Sequence, residues 1–460
     1  MQLLTLVAAL LLLTAIGFRL GRRRALALAA GHPRSLQSLP GYYGLYVALW
    51  CGVPAFLVLL AWLVLEPFAV ESLLVASLPA EVQRLPEARL ELLLNDIHNL
   101  AAGGIVSREV DPELRAAADR YNSFRSIGFA SLAVVVLGLA AGGVAIGRRF
   151  VSPALRARVR VEAAIKVFLV ASSTVAIFTT IGIVLSLVFE AVRFFDAIPV
   201  TDFLFGLKWS PQTAIRADQV GSSGAFGAVP VLTGTLLISA VAMVVAVPVG
   251  LFSAIYLAEY AAPRFRATVK PMLEILAGIP TVVYGFFAAL TVAPLVRDAG
   301  ALLGLDVASE SALAAGVVMG IMIIPFVSSI SDDVITAVPQ SLREGSYALG
   351  ATKSETIRRV VVPAALPGIV GGILLAVSRA IGETMIVVMA AGLAANLTAN
   401  PFEAVTTVTV QIVTLLVGDQ EFDSPKTLAA FALGLLLFAI TLLLNVVALQ
   451  VVRKYREQYE

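Results

Sequence analysis

The sequence contains few charged residues and few of the side chains that bind metals or form disulfides. Only 14% of its 460 residues are charged, whereas 59% are hydrophobic. Its single cysteine, Cys51, excludes an intrachain disulfide, and its two histidines, His32 and His98, lie far apart without ligand-type neighbours. Soluble proteins carry about 25% charged residues, and this chain is more apolar than a soluble protein can bury in its core. The composition therefore predicts a polytopic membrane protein, and it gives no indication of a metal site.

The apolar residues are grouped in runs long enough to cross a membrane. A helix needs about 20 mostly apolar residues to span the hydrocarbon core. Such runs occupy residues 3–18, 44–65, 127–147, 167–189, 229–257, 272–295, 312–330, 367–392 and 427–452. We therefore predict an all-α protein with about nine transmembrane helices. The first run is short and its arginines follow it, which is typical of a membrane anchor and not of a cleaved signal peptide.

Arginine and lysine are unevenly distributed among the connections, and this asymmetry predicts an orientation. Residues 19–41 contain five arginines and no acidic residue, and residues 148–166 contain six basic residues and one glutamate. Residues 66–126 contain ten acidic and six basic residues. Because positively charged connections stay in the cytoplasm, we expect the N-terminus outside and the C-terminus inside.

Residues 66–126 contain two amphipathic patterns between two of the apolar runs. The second pattern is predicted to begin with Asp111 as the N-cap and Pro112 in the first helical position. The segment is either a small sensing or docking module or a helical hairpin packed against its own membrane spans. We favour the hairpin, because about 60 residues build only a marginal independent core.

The connection at residues 330–366 carries helix signals that a plain linker does not need. Ser341 with Glu344 and Thr352 with Glu355 have the spacing of capping boxes, and Gly350 lies between the two pairs. These signals predict two short helices joined by a sharp glycine turn. Since a simple connector needs only about four residues, we interpret the folded connection as a docking element for a cytosolic partner.

The same connection resembles a motif of the permease subunits of ABC importers. Glu344, Gly350, Val360 and the pair Val362-Pro363 match the spacing of E-A-A-x3-G-x9-I-x-L-P, with small or apolar replacements at the other motif positions. Pro363 is also expected to end the second helix. The resemblance implies that this region, residues 339–363, couples the chain to an ATPase. The residues predicted to take part are Arg343, Glu344, Gly350, Thr352, Glu355 and Pro363.

Two further stretches narrow the resemblance. The sequences "EILAGIPTVVYGFFAALTVAP" at 274–294 and "SRAIGETMIVVMAAG" at 378–392 are similar to permeases of the phosphate-specific ABC importer, of the PstC type. The resemblance covers the chain from about residue 167 to the C-terminus. It implies a six-helix type I importer core at 161–460. Residues 1–160 would then be the extra N-terminal membrane region of the long form, with three transmembrane helices.

The resemblance also implies a location in the bacterial inner membrane and several partners. A phosphate-binding protein outside the membrane (PstS-like), a second permease (PstA-like) and ATPase subunits (PstB-like) would complete the importer within the membrane lipid. The sequence has no G-x-x-x-x-G-K-[ST] phosphate loop. We therefore expect ATP and Mg²⁺ on the ATPase subunits, and no catalytic residue or cofactor in this chain. The net charge of +2 gives no indication of nucleic-acid binding.

Three alternatives to a phosphate permease remain open at this stage. The cargo could be another oxyanion, such as sulfate or molybdate. A secondary transporter would also carry charges inside its membrane spans, but it would have no need for the folded connection. A membrane-bound sensor would place its specificity in residues 66–126.

Charged residues inside an apolar run are candidates for the substrate pathway. Arg379 and Glu383 are four positions apart in the eighth run, which predicts one helix face and a depth of about 18 Å. Such a pair either locks its helix to a neighbour or binds the phosphate anion through Arg379, with Glu383 holding the guanidinium. Pro280 is predicted to kink its helix and to line the pathway.

Four more charges lie near the ends of the apolar runs. Lys270 and Glu274 have i,i+4 spacing, which predicts a pair at the membrane boundary. Asp332 and Asp333 are expected to be solvated where their span leaves the membrane.

Overall fold

The computed structural model describes residues 2–29, 36–83, 86–104, 111–211, 224–417 and 424–455. These ranges are mostly helical, which confirms the predicted fold class. The first part of the chain contains α1 (Gln2–Leu28), α2 (Pro40–Ser77), α3 (Ala80–Gln83), α4 (Glu87–Ala101), α5 (Pro112–Phe150), α6 (Ala157–Ala197), α7 (Val200–Phe205), β1 (Trp209–Ser210) and β2 (Ala225–Phe226). Strands β1 and β2 form an antiparallel pair in which Trp209 lies opposite Phe226.

The remaining elements are helices, and three π-helical turns adjoin them. They are α8 (Val229–Ile255), α9 (Pro263–Ala277), α10 (Thr281–Phe287), α11 (Ala293–Leu302), α12 (Ala312–Ala337), α13 (Gln340–Ala348), α14 (Lys353–Thr356), α15 (Val362–Ile381), α16 (Met385–Ala390), α17 (Val408–Leu416) and α18 (Pro425–Tyr455). The π-helical turns are Tyr256–Tyr260, Ala288–Val292 and Ile357–Val361.

The predicted number of spans is confirmed for the part of the chain that the structure describes. Nine helical segments there are long and apolar enough to cross a membrane. They are Leu3–Leu28, Pro40–Ser77, Pro112–Phe150, Ala157–Ala197, Val229–Tyr260, Thr281–Leu302, Ala312–Ala337, Lys353–Ile381 and Pro425–Lys454. Most are longer than the apolar runs because the helices continue into their charged flanks.

The chain divides into two compact units, Met1–Phe178 and Thr179–Glu460. The predicted boundary near residue 160 stays a prediction. In the first unit α1, α2 and α5 pack together, and small residues allow their close approach. A Cβ atom at Gly21 in α1 would lie 2.7 Å from the carbonyl oxygen of Tyr43 in α2. The two helices therefore touch at backbone distance.

The segment at residues 66–126 packs as a helical hairpin on its own spans. Leu94 and Ile97 of α4 are buried against Leu74 near the end of α2 and Leu114 at the start of α5. The N-cap prediction is confirmed, because the Asp111 carboxylate accepts a hydrogen bond from the Leu114 N–H at 2.9 Å. This packing agrees with the favoured hairpin interpretation.

The second unit is built around α12, the most buried of the spanning helices. Sixty-one per cent of its most apolar window is buried. Gly316 and Gly320 of α12 lie against Val241 and Val245 of α8, where a Cβ atom would approach these side chains to 2.6 and 2.8 Å. Helix α15 also packs on α12. Helix α12 thus forms the centre on which α8 and α15 pack.

The predicted helix end at Pro363 is wrong. The chain remains helical from Lys353 through Pro363 to Ile381. The π-helical turn Ile357–Val361 directly precedes the proline. A π-helical turn is wider than an α-helical one and shifts the carbonyl groups that the proline ring would otherwise contact. Pro363 lies in the first turn of α15, where its missing N–H costs little.

Candidate functional site

The eighth apolar run is broken in its second half. Helix α15 ends at Ile381, and α16 begins at Met385. The Glu383 carboxylate accepts hydrogen bonds from the N–H groups of Met385 at 3.0 Å and Ile386 at 3.4 Å. Glu383 therefore satisfies backbone donors that the break leaves without helical partners. The prediction of one continuous helix through residue 392 is wrong.

Arg379 lies in the last turn of α15, with its side chain exposed in this chain. Its guanidinium carbon lies 5.8 Å from the centre of the Phe326 ring in α12, within range of a cation–π contact. The predicted pairing with Glu383 on one helix face is wrong, because the helix ends between the two residues and the carboxylate binds the start of α16. The Arg379 charge thus remains available to an anion or a partner.

A layer of buried polar side chains holds the break in place. The Thr409 hydroxyl of α17 donates to the backbone carbonyl of Glu383 at 2.9 Å. Gln411 accepts from the Trp209 indole N–H at 2.7 Å and donates to the Leu393 carbonyl and the Thr406 hydroxyl, both at 3.1 Å. Sequence reasoning missed these residues. The threonines of "VTTVTVQ" in an otherwise apolar stretch were the available signal.

Pro280 separates two helices and does not kink one. Helix α9 ends at Ala277, and α10 begins at Thr281 with Pro280 as its extended N-cap residue. Helix α10 packs on α16, where a Cβ atom at Gly285 would lie 3.0 Å from the Met385 carbonyl oxygen. The structure thus brings together the two short helices that follow the breaks at Pro280 and Glu383. Whether Pro280 lines the pathway stays a prediction.

A charged cluster joins α9 to α12. Asp332 is only 2% exposed, and its carboxylate accepts from Arg266 at 2.9 and 3.0 Å and from Lys270 at 2.7 Å. Lys270 also contacts Asp333 at 3.0 Å. The predictions of a solvated Asp332 and a Lys270–Glu274 pair are wrong, because the neighbouring helix supplies the partners. The bonds to Asp332 and Asp333 raise the pKa of Lys270.

The glycine turn in the folded connection is confirmed. Gly350 has a φ of +84°, a conformation that L-residues rarely adopt. Its N–H donates to the Tyr347 carbonyl at 2.9 Å, and the Ala351 N–H donates to the Ser346 carbonyl at 3.2 Å. These two bonds form the Schellman ending of α13. The turn therefore requires glycine at this position.

Of the two predicted capping boxes, one forms. Thr352 and Glu355 exchange hydrogen bonds at 2.9 and 3.3 Å to begin α14. The box at Ser341 and Glu344 is wrong. Helix α13 begins earlier, at Gln340 after the extended Pro339, so Ser341 lies within the first turn.

Arg343 is buried, and it ties the connection to the membrane helices. It is 8% exposed, and its guanidinium lies 2.9 Å from the Glu259 carboxylate. It also donates to the carbonyl groups of Ile335 and Val338 at the end of α12. Arg343 therefore fixes the orientation of α13 and satisfies carbonyls that the helix end leaves open. No local signal in the sequence indicates Glu259 as its partner, because the two residues are 84 positions apart.

The outer surface of the connection is apolar at the turn. Leu349 is 91% exposed and Tyr347 is 40% exposed. Both stand beside Gly350, on a segment held by Arg343 and by the contact between the Ser346 and Thr356 hydroxyls at 2.8 Å. Rigid exposed apolar side chains of this kind are suited to a partner surface.

The described residues form spanning helices, breaks within apolar runs and a folded connection. This combination is that of a multi-pass membrane transport subunit. Residues 246–457 match the family described as "Binding-protein-dependent transport system inner membrane component". Residues 7–179 match the family described as "Phosphate ATP-binding cassette transporter".

Curated relatives extend these matches. The chain is 33% identical over 292 residues to the probable ABC transporter permease protein YqgH of Bacillus subtilis, covering 63% of this chain and 87% of that protein. It is 34% identical over 277 residues to the phosphate transport system permease protein PstC 1 of Mycobacterium tuberculosis, covering 55% of this chain and 81% of that protein. The chain belongs to the PstC-type family of ABC transporter permeases.

A solved structure described as inward-facing conformations of the MetNI methionine ABC transporter is also similar. It is 20% identical, has a TM-score of 0.37, and covers 50% of this chain and 95% of that chain.

As a permease of the PstC-type family, the chain is a transport subunit in a complex that includes ATPase and other subunits.

Proposed function

We propose that this chain is the permease subunit through which an ATP-driven importer moves inorganic phosphate across the bacterial inner membrane. The observation that carries the proposal is the folded connection α13–α14, whose Gly350 turn presents exposed apolar side chains. A permease that works without an ATPase has no need for such an element. Relatives named as phosphate transport system permeases support phosphate as the cargo.

The connection is the proposed docking site for the ATPase. Leu349 and Tyr347 would enter the partner surface, and Glu344 and Glu355 would flank them. The buried Arg343 would transmit movement of α13 to the membrane helices, because it binds Glu259 and the end of α12. ATP and Mg²⁺ would be bound by the ATPase subunits, and this chain would contribute no catalytic group.

The broken helix is the proposed point of contact with phosphate. Arg379 supplies a positive charge beside the break, and its ring contact with Phe326 leaves the guanidinium N–H groups able to donate to an anion. Glu383 contributes as a helix cap, which keeps the break open without neutralising Arg379. Broken membrane helices also form the substrate sites of other transporters, but here the proposed positive charge comes from the Arg379 side chain and not from the start of α16, which Glu383 caps.

The remaining subunits are a PstA-like second permease, PstB-like ATPases and a PstS-like binding protein outside the membrane. The distribution of basic residues supports an N-terminus outside and a C-terminus in the cytoplasm. In this orientation the connection α13–α14 faces the ATPases.

The test is phosphate uptake by the purified complex in lipid vesicles. We expect uptake to require ATP, the ATPase subunits and the binding protein, and to persist in excess sulfate or molybdate. Equal competition by sulfate would assign the permease to another oxyanion. Uptake by this chain alone, driven by an ion gradient, would contradict the ATP-driven mechanism.

A further inference from the structure

The last third of α1 carries exposed arginines along a groove. The groove has a volume of about 640 Å³. Its lining residues are Ala15, Phe18, Arg19, Arg22, Arg23 and Leu26. Each of them has another member of the set three or four positions away, so together they form a stripe along one side of the helix. The opposite side of α1 packs on α2, where Gly21 touches the Tyr43 backbone.

The depth of the arginines in the membrane follows from the helix geometry. Arg19 is sixteen residues from Leu3, the first residue of the span, which corresponds to about 24 Å along the helix axis. Arg22 and Arg23 lie about 5 Å further along. A hydrocarbon core is about 30 Å thick. Arg22 and Arg23 therefore lie at the edge of the core, and the long side chain of Arg19 extends to the same headgroup level.

The three positive charges lack acidic neighbours in the sequence. Residues 19–41 contain no aspartate or glutamate. Within the described part of this unit, the ion pairs join Arg125 to Glu66 and Arg158 to Glu162, and none includes an arginine of the groove. Like charges at i,i+3 and i,i+4 repel one another. A bound anion would relieve this repulsion.

The rest of the groove is apolar. Phe18 packs on Gly44 of α2, and Ala15 and Leu26 are exposed at the two ends. A ligand with both a phosphate group and hydrocarbon chains matches this combination of charge and apolar surface. A free phosphate ion would satisfy the arginines but not the apolar residues, and it would remain in water.

We propose that this groove binds the phosphate headgroup of an anionic membrane phospholipid, with its acyl chains along Ala15 and Phe18. Basic pockets at the ends of membrane helices favour such lipids, each arginine contributing about fivefold in affinity near the surface. The site lies in the N-terminal unit and is independent of the proposed transport pathway. It gives this unit a role in fixing the protein to a lipid environment.

The test uses the purified full chain in bilayers of phosphatidylcholine with phosphatidylglycerol as the minor component. Native mass spectrometry would measure which lipid stays bound. We expect phosphatidylglycerol to be retained by the parental protein. The combined change Arg19→Gln, Arg22→Gln and Arg23→Gln should reduce this retention at least about tenfold.

A matched control removes three exposed arginines from another part of the same unit, through Arg149→Gln, Arg156→Gln and Arg160→Gln. We expect this control to retain phosphatidylglycerol within about threefold of the parental level. An equal loss in both triple variants would overturn the proposal, because it would assign the effect to general surface charge. Displacement of the lipid by millimolar inorganic phosphate would overturn it too, in favour of a free-anion site.

Removing arginines could also change the orientation of the protein in the membrane, and a second variant controls for this effect. Leu26→Glu keeps every arginine and places a carboxylate within one turn of Arg22 and Arg23. Acidic residues have little influence on orientation. We expect this variant to lose phosphatidylglycerol as the triple variant does. Unchanged retention in Leu26→Glu would contradict binding in this groove.

Discussion

Arg379 and Glu383 have different surroundings although only four positions separate them. Glu383 is engaged with the N–H groups that begin α16, whereas Arg379 contacts the face of Phe326. A carboxylate bound to backbone donors has little need of a guanidinium. The two side chains therefore have different roles: Glu383 stabilises the break in the helix, and Arg379 supplies the positive charge beside it.

The first prediction follows for Arg379. Arg379→Gln should assemble with its partners and retain ATP hydrolysis, because the side chain is exposed and buries no charge. Phosphate uptake should fall at least about tenfold, since a hydrogen bond to a charged group is worth about 1.5–3 kcal/mol. Uptake of labelled phosphate by vesicles containing the complex measures this effect.

Arg297→Gln is the matched control for Arg379. Arg297 is also exposed, and it pairs with the adjacent Asp298. Exposed pairs contribute about 0–1 kcal/mol to stability. This control should transport phosphate like the parental protein. Parental uptake rates in Arg379→Gln would show that this arginine has only a structural role.

The second prediction concerns the cluster at Asp332. Asp332→Asn removes the one buried charge that Arg266 and Lys270 share. Removing one partner of a fully buried pair costs about 3–5 kcal/mol. Because both cations remain about 30% exposed, we expect a smaller loss, about 1–3 kcal/mol. Thermal unfolding in detergent measures the loss.

Asp333→Asn makes the same chemical change one position away. The Asp333 side chain is 67% exposed and contacts Lys270 alone. Its loss should change stability by less than about 1 kcal/mol. Equal destabilisation by both substitutions would mean that total charge, and not the buried contact, holds α9 on α12.

For individual residues, the sequence predicts which side chains are important better than it predicts which side chains they contact. The intramembrane charges, Gly350 and the Thr352 box were visible because their signals are local. The partners of Arg343 and Asp332 were not, since Glu259 and Arg266 are 84 and 66 positions away. Pairing across helices depends on which faces meet, and a single sequence does not contain this information.

Among the elements, the connection α13–α14 gives the clearest structural requirement. Gly350→Val should keep the protein in the membrane but uncouple ATP hydrolysis from phosphate transport. An L-residue in the left-handed region costs about 1–2 kcal/mol, so the turn should rearrange and displace Leu349. The ratio of phosphate moved to ATP hydrolysed measures coupling.

Gly345→Val serves as the control within the same helix. Gly345 has open space around its Cα and no positive φ. Valine has a slightly higher helix propensity than glycine, by a few tenths of a kcal/mol, so the substitution should leave α13 intact. We expect normal coupling in this variant. Normal coupling in Gly350→Val as well would exclude the turn from the coupling mechanism.

The number of spans was predictable, but the breaks within them were not. Hydropathy averages over about 20 residues, and the interruptions at 278–280 and 382–384 change that average very little. Proline was an ambiguous signal. Pro280 separates two helices, whereas Pro363 follows a π-helical turn inside a continuous one. Local geometry decides between these outcomes.

For the whole molecule, the two compact units match two different family models, over residues 7–179 and 246–457. The alignment with YqgH covers 87% of that relative but 63% of this chain. The alignment with PstC 1 covers 81% of that relative but 55% of this chain. Much of the chain therefore lies outside those alignments. The N-terminal unit also has its own packed core of α1, α2 and α5. A transport pathway formed without this unit is consistent with both observations.

The last prediction is that a chain beginning near Val161 forms the pathway. It retains nearly all of α6 and the later spans. Three spans are removed, so the new N-terminus should lie in the cytoplasm, where Lys166 favours it. We expect this shortened chain to assemble with its partners and to import phosphate in an ATP-dependent manner. A chain beginning at Val229, which also lacks α6, is the control and should fail to transport, because Phe194 of α6 belongs to the buried core of the second unit. If the chain beginning near Val161 assembles stably but moves no phosphate, the N-terminal unit is part of the transport machinery.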